Sequence, residues 1–146
     1  VDSKIILLVE DNPDDVLLIQ RALQGNNVLN TVVVAHDGVE ALDFFFGPGA
    51  EDRPLPQVIL LDLKLPKMSG LEVLQRLRDD KRTQLLPVVV LTTSDEQADM
   101  VKSYELGASS YVRKPVDFTE FLQAVRTLGV YWLLLNEVPF TGEPHA

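Results

Sequence analysis

The run Val58-Ile59-Leu60-Leu61 is apolar at every position and ends abruptly in one carboxylate, Asp62. Pro66 and Gly70 follow closely, so the chain turns and a new helix begins. A strand without polar alternation is buried on both faces, which requires a parallel sheet with helices above and below. A carboxylate at the carboxyl end of such a strand sits at the rim, where open α/β sheets bind ligands. Ile5-Ile6-Leu7-Leu8-Val9 repeats the pattern and ends in Glu10 and Asp11. If the two strands are neighbours, three acids converge, and their repulsion requires a cation, a lysine or both.

The remaining chain supplies the alternation that such a sheet needs. Asn12-Pro13 opens a helix, with Asn12 as N-cap and Pro13 in the first helical position. Asp14 and Asp15 lie where the helix dipole favours negative charge, and Gly25-Asn26-Asn27 ends the helix. Thr31 to Ala35 is a β-branched strand, His36-Asp37-Gly38 a turn, and Val39, Leu42, Phe45 and Phe46 mark a short helix. Gly47 to Pro56, rich in proline and glycine, reads as a loop that is neither helix nor strand. Leu71, Leu74 and Leu77 form a helical stripe, with the charged run Arg76 to Arg82 as its solvated end. Pro87 to Leu91 is a fourth strand, followed by Thr92-Thr93-Ser94. Ser94 is expected to cap the next helix, with Gln97 as capping-box partner. Gly107 to Ser110 breaks that helix before the short strand Tyr111-Val112-Arg113, which Lys114-Pro115 ends. A last helix is expected from about residue 118 to 135.

Strand then helix, five times over, implies right-handed crossovers and a sheet covered on both sides. The expected fold is α/β: a flavodoxin-like three-layer fold, with a five-stranded parallel sheet in the order 2-1-3-4-5 and five helices. That order puts Asp11 and Asp62 in one crevice. Residues 1–146 are read as one domain, large enough for a core without disulfides, and the chain has no cysteine. The apolar run 128–135 is too short to span a bilayer, and no secretory signal pattern opens the chain. A net charge of -9, with basic residues only in pairs, argues against nucleic acid and anionic membrane as partners. The expectation is a cytoplasmic protein that acts through other proteins.

Glu10, Asp11 and Asp62 offer hard oxygen ligands, which suit Mg²⁺ or Mn²⁺. Thr92 closes the fourth strand and Lys114 the fifth, bringing a hydroxyl and an ammonium to the same rim. Acids, metal, hydroxyl and lysine together make a site for a phosphoryl group, and a carboxylate can itself be the nucleophile. His36 and His145 are the only histidines, and neither is set beside a base or metal cluster.

Four stretches carry a family likeness: Val9-Glu10-Asp11-Asn12, Leu61 to Gly70, Leu91-Thr92-Thr93-Ser94 and Tyr111-Val112-Arg113-Lys114-Pro115. In this order and spacing, over about residues 4–128, the chain resembles the receiver domains of bacterial two-component response regulators. The resemblance implies that Asp62 is the phosphoacceptor, with a sensor histidine kinase as donor. It implies that Asp11 binds Mg²⁺ directly, Glu10 largely through water, and Lys64 through its backbone carbonyl. Lys114 would pair with Asp62 or its phosphoryl group, Lys114-Pro115 would form a cis peptide, and Thr92 and Tyr111 would be a switch pair. Lys64 departs from the Asn or short residue common in the family, which puts the phosphoryl lifetime in question. Asn12-Pro13-Asp14-Asp15-Val16 and the 132–139 tail are similar to stand-alone regulators that partner phytochrome-type kinases.

The last helix ends apolar nearly all round, at Val130, Tyr131 and Leu133 to Leu135. Either the tail Val138-Pro139-Phe140 folds back over it, or another subunit covers it. The expectation is a homodimer through the fourth helix, fifth strand and fifth helix, including Tyr111, Val130, Tyr131 and Leu134, with residues 129–146 at the contact. A downstream protein or phosphotransfer partner would read the switched surface. Two rivals stand beside this reading. One is a Mg²⁺-dependent phosphohydrolase that uses an aspartyl phosphate, and it lacks a second acid at position 64. The other is a receiver-like adaptor that never takes phosphate, and the intact set of Asp11, Asp62, Thr92 and Lys114 speaks against it.

Overall fold

The computed structural model describes residues 5–25, 30–93, 96–114 and 119. Five strands alternate with four helices: β1 (Ile5–Val9), α1 (Pro13–Gly25), β2 (Thr31–Ala35), α2 (Gly38–Phe46), β3 (Val58–Leu61), α3 (Gly70–Arg78), β4 (Val88–Thr92), α4 (Gln97–Glu105) and β5 (Ser110–Arg113). All strand pairs are parallel, in the order β2-β1-β3-β4-β5. Of the expected fifth helix only residue 119 is described, and it is helical; the rest lies outside the described residues. Among the described residues, no helix is long and apolar enough to cross a membrane.

The two-faced burial of the central strands follows from their composition. Ile6 to Val9, Val58 to Leu61 and Val88 to Thr92 are all buried. Successive side chains point to opposite faces, so each strand feeds two cores. Leu7, Val9, Ile59, Leu61, Val88 and Val90 pack with Phe45 of α2 and Val73, Leu74 and Leu77 of α3. Ile6, Leu8, Val58, Leu60, Val89 and Leu91 pack with Ile19 and Leu23 of α1. Fully burying each such aliphatic side chain contributes about 1.5–3 kcal/mol.

Helix ends are fixed by local polar bonds. Asn12 Oδ1 accepts from the amides of Asp14 (2.9 Å) and Asp15 (3.3 Å), as expected of an N-cap. Ser69 and Glu72 form a reciprocal capping box at the start of α3. Gly70 is required there, because a Cβ would collide with the Asp62 carbonyl and the Leu63 backbone. This close approach lets α3 begin directly against the end of β3.

Three expectations need correction. The segment 47–56 is not wholly irregular: Ala50–Asp52 forms one turn of 3-10 helix, with Ala50 buried beneath it. Helix α4 has Glu96 as its N-cap and no side-chain cap bond, so the Ser94–Gln97 box does not start it; Ser94 itself lies outside the described residues. The run Arg76 to Arg82 is only partly a solvated end. Arg78 donates to the carbonyls of Leu106 (2.8 Å), Gln84 (2.9 Å), Leu86 (3.0 Å) and Gly107 (3.0 Å), joining the loops on either side of β4 and α4. Arg82 reaches Phe45 O at 2.6 Å and, with Arg53 on Asp43 O and Phe44 O, satisfies the last carbonyls of α2.

Replacing Arg78 by Met strands several of these carbonyls. Urea denaturation is expected to show a loss of about 2–4 kcal/mol. Arg78→Lys, with one donor head in place of the fork, should recover less than half of it.

Candidate functional site

Backbone pairing continues one residue beyond the strands and fixes where the acids stand. Glu10 N donates to Ala35 O at 2.9 Å, and Asp62 N to Val9 O at 3.1 Å. Val9 pairs with Leu61, so the residues that follow each leave the sheet side by side. Lys114 N donates to Thr92 O at 2.9 Å, bringing the end of β5 to the same rim through β4. Thr92 is buried there.

Carboxylate oxygens of Glu10, Asp11 and Asp62 all lie within 4.8 Å of one another. Glu10 and Asp62 are buried, while Asp11 is exposed at the mouth. The Lys114 ammonium stands among the acids, 2.5 Å from Glu10 Oε1, 2.9 Å from Asp15 Oδ2 and 3.1 Å from Asp62 Oδ2. The second oxygen of each buried acid takes a backbone amide: Asn12 N to Glu10 Oε2 and Lys64 N to Asp62 Oδ1, both 3.2 Å. Each buried acid thus has one oxygen on the lysine and one on the main chain.

The charges do not balance. Four carboxylates (Glu10, Asp11, Asp15 and Asp62) face one ammonium. Burial raises the Glu10 carboxyl above its usual range; the Lys114 bond opposes this and the Asp62 charge adds to it. Burial works against the charge on Lys114, but its bonds to Glu10 and Asp15 and the Asp62 charge outweigh it and hold the ammonium protonated well past its ordinary range. An all-oxygen donor set with surplus negative charge suits a hard divalent cation such as Mg²⁺ or Mn²⁺. Among the described residues the cluster is made of carboxylates alone: the chain lacks cysteine, and the exposed His36 is engaged with Glu40.

The sequence reading placed Glu10, Asp11, Asp62, Thr92 and Lys114 at one rim, and there the structure brings them. Tyr111 is half-buried and packs against the core shared by α2 and α3. The Lys64 side chain is exposed, while its amide holds Asp62. Pro115 of the expected cis peptide and Val130, Tyr131 and Leu134 of the expected dimer contact lie outside the described residues. Asp15 was read only as first-turn charge, yet its carboxylate turns inward to Lys114. The signal available was its spacing: one turn into a helix that begins immediately after Glu10-Asp11.

Comparison with known proteins agrees with this arrangement. The sequence profile of the family described as "Response regulator receiver domain" matches residues 6–126. Response regulator Rcp1 of Synechocystis sp. is 37% identical over 137 residues, covering 93% of this chain and 93% of that protein. A structure of the Mn(2+)-bound form of Rcp1 superposes with a TM-score of 0.75 at 36% identity, over 94% of this chain and 99% of that one. The bacteriophytochrome response regulator AtBRR gives 0.80 at 50% identity, over 94% of this chain and 100% of that one. The phosphorylated cyanobacterial phytochrome response regulator RcpA gives 0.76 at 38% identity, over 95% and 100%.

Removing the lysine leaves buried acids without a counter-ion. Lys114→Met is expected to cost about 3–5 kcal/mol at neutral pH in chemical denaturation. The sign of the pH effect follows from Glu10, whose carboxyl is already raised: once protonated it needs no counter-ion. The deficit should therefore be full above the folded-state pKa of Glu10 and shrink as pH falls through it.

Proposed function

This chain belongs to the response regulator receiver domain family of two-component signalling, and we propose that it is a single-domain regulator phosphorylated on Asp62 by a sensor histidine kinase. The observation that carries the reading is the Lys114 ammonium bonded to Asp62 within a cluster of carboxylates. The donor is a phytochrome-type kinase, by likeness to AtBRR and RcpA. The site works in the cytoplasm with Mg²⁺, or Mn²⁺ as in the Rcp1 structure. Asp11 and Asp62 would hold the ion directly, Glu10 largely through water, and the Lys64 carbonyl would complete the protein ligands.

The chemistry is an exchange of one phosphorus bond for another. An Asp62 carboxylate oxygen attacks the phosphorus of a phosphohistidine or of acetyl phosphate. The bond to the imidazole nitrogen or acetate oxygen breaks, and its electron pair leaves with that group. A divalent cation held by these residues would supply positive charge to the phosphoryl oxygens. Lys114 leaves its place among the acids to meet a phosphoryl oxygen, and the Thr92 hydroxyl donates to another. Movement of Thr92 lets the Tyr111 ring turn inward, which changes the face around β5. That face meets the downstream protein and forms the homodimer, to which residues 129–146 are assigned. The domain spans residues 1–146, with its core at about 4–128, and serves as a signalling switch and not a metabolic enzyme.

Phosphohydrolases that use an aspartyl phosphate usually place a second Asp two residues after the nucleophile as general acid. Here that position is Lys64, with its side chain in solvent, so that reading lacks the acid at that position.

Incubation with Mg²⁺ and acetyl phosphate, followed by intact mass, is expected to add one phosphoryl group to the wild type and none to Asp62→Asn. Turnover of many phosphomonoesters would overturn the proposal. At 100 times its dissociation constant, Mg²⁺ should stabilise the wild type by about 2.7 kcal/mol, and Asp11→Asn should lose most of that gain. Lys64→Asn is expected to change the rate of phosphoryl loss at least severalfold, because residue 64 borders the path of attacking water.

A further inference from the structure

Asp14 and Asp15 occupy the same first turn of α1, carry the same charge and share the same cap, Asn12. They do not share the same surroundings. Asp14 is exposed, whereas Asp15 turns its carboxylate to the Lys114 ammonium at 2.9 Å, across 99 residues of sequence. The ammonium is buried, its side chain only 6% exposed, and among the described residues it bonds to three acids: Glu10, Asp15 and Asp62. Glu10 and Asp62 belong to the proposed metal and phosphoryl site. Asp15 belongs to neither.

We infer that Asp15 is a positioning residue that holds Lys114 toward α1 and limits how much of the lysine's charge an incoming phosphoryl group can claim. The inference rests on Asp62 being the phosphoacceptor. An ammonium has three donors, and here each meets one acid. A phosphoryl group arriving at Asp62 brings further anionic oxygens, and these must draw Lys114 from a partner. Asp15, partly exposed and outside the metal cluster, is the partner that can be given up to solvent. Its carboxylate thus competes with the donor's phosphoryl group for one cation, and it adds a negative charge beside the path of an anionic donor. Both effects act on capture of the donor. They leave the bond exchange at Asp62 unchanged.

The test uses the full chain with acetyl phosphate as donor, at Mg²⁺ concentrations shown to saturate each variant. Asp15→Asn is expected to lower the half-saturating acetyl phosphate concentration about three- to tenfold and to keep the maximum rate of Asp62 phosphorylation within about twofold. Asp15→Glu should stay near wild type. Asp14→Asn removes the same charge without touching Lys114 and should move neither quantity by more than about 1.5-fold. Before any donor is added, the NMR resonance of the Lys114 ammonium should shift in Asp15→Asn and hold in Asp14→Asn. Equal kinetic effects from the two substitutions, none from either, or an ammonium resonance indifferent to Asp15→Asn would overturn the positioning role, while a labelled wild type would leave the phosphoacceptor reading intact. A wild type that takes no phosphoryl group on Asp62 would overturn that reading and this inference with it.

Discussion

The ammonium of Lys114 is what makes the rest of the rim tenable. Two buried carboxylates side by side repel each other in a medium where that repulsion is weakly screened. The strands that deliver them, β1 and β3, are driven together by apolar burial that takes no account of charge. The lysine relieves that conflict from the end of β5, three strands away from β1 in the chain of pairing through β3 and β4. Even so, the relief is partial. The acids still outnumber the cation, and the surplus is the electrostatic feature that a divalent ion can answer.

Geometry at the rim is inherited from backbone that has no side-chain role in it. The ladder bonds of Glu10 and Asp62 extend the sheet by one residue and aim both acids the same way. The amides of Asn12 and Lys64 hold the outer oxygens. Gly70 lets α3 start hard against the Asp62 carbonyl. Behind them, Arg78 ties together loops at the opposite end of β4 and α4. The functional end is thus open and charge-rich, and the other end is bound by a fork of neutral carbonyl bonds.

Much of this was legible from the residues alone. Unbroken apolar runs ending in acids disclosed the strands, their two-sided burial and the side on which the acids gather, because burial and strand direction are properties of local composition. Asp15 was not legible in that way. Whether a first-turn acid looks to solvent or to a lysine 99 residues away depends on the rotation of α1 against the sheet. Arg78 was hidden for a related reason: a charged run on a helix end looks solvated until the loops that need its donors are in place. The turn at Ala50–Asp52 escaped because one cycle of 3-10 helix leaves no periodicity to detect.

The span of the Glu10–Lys114 pair, 104 residues, has a further consequence. A chain emerging from the ribosome holds every acid of the cluster long before the one base that quiets them. Until the fifth strand docks, the acids at the ends of β1 and β3 stand without the Lys114 ammonium among them. The late arrival of a single lysine therefore works as a receipt: the acids at the rim gain their one ammonium only in a molecule whose sheet is complete.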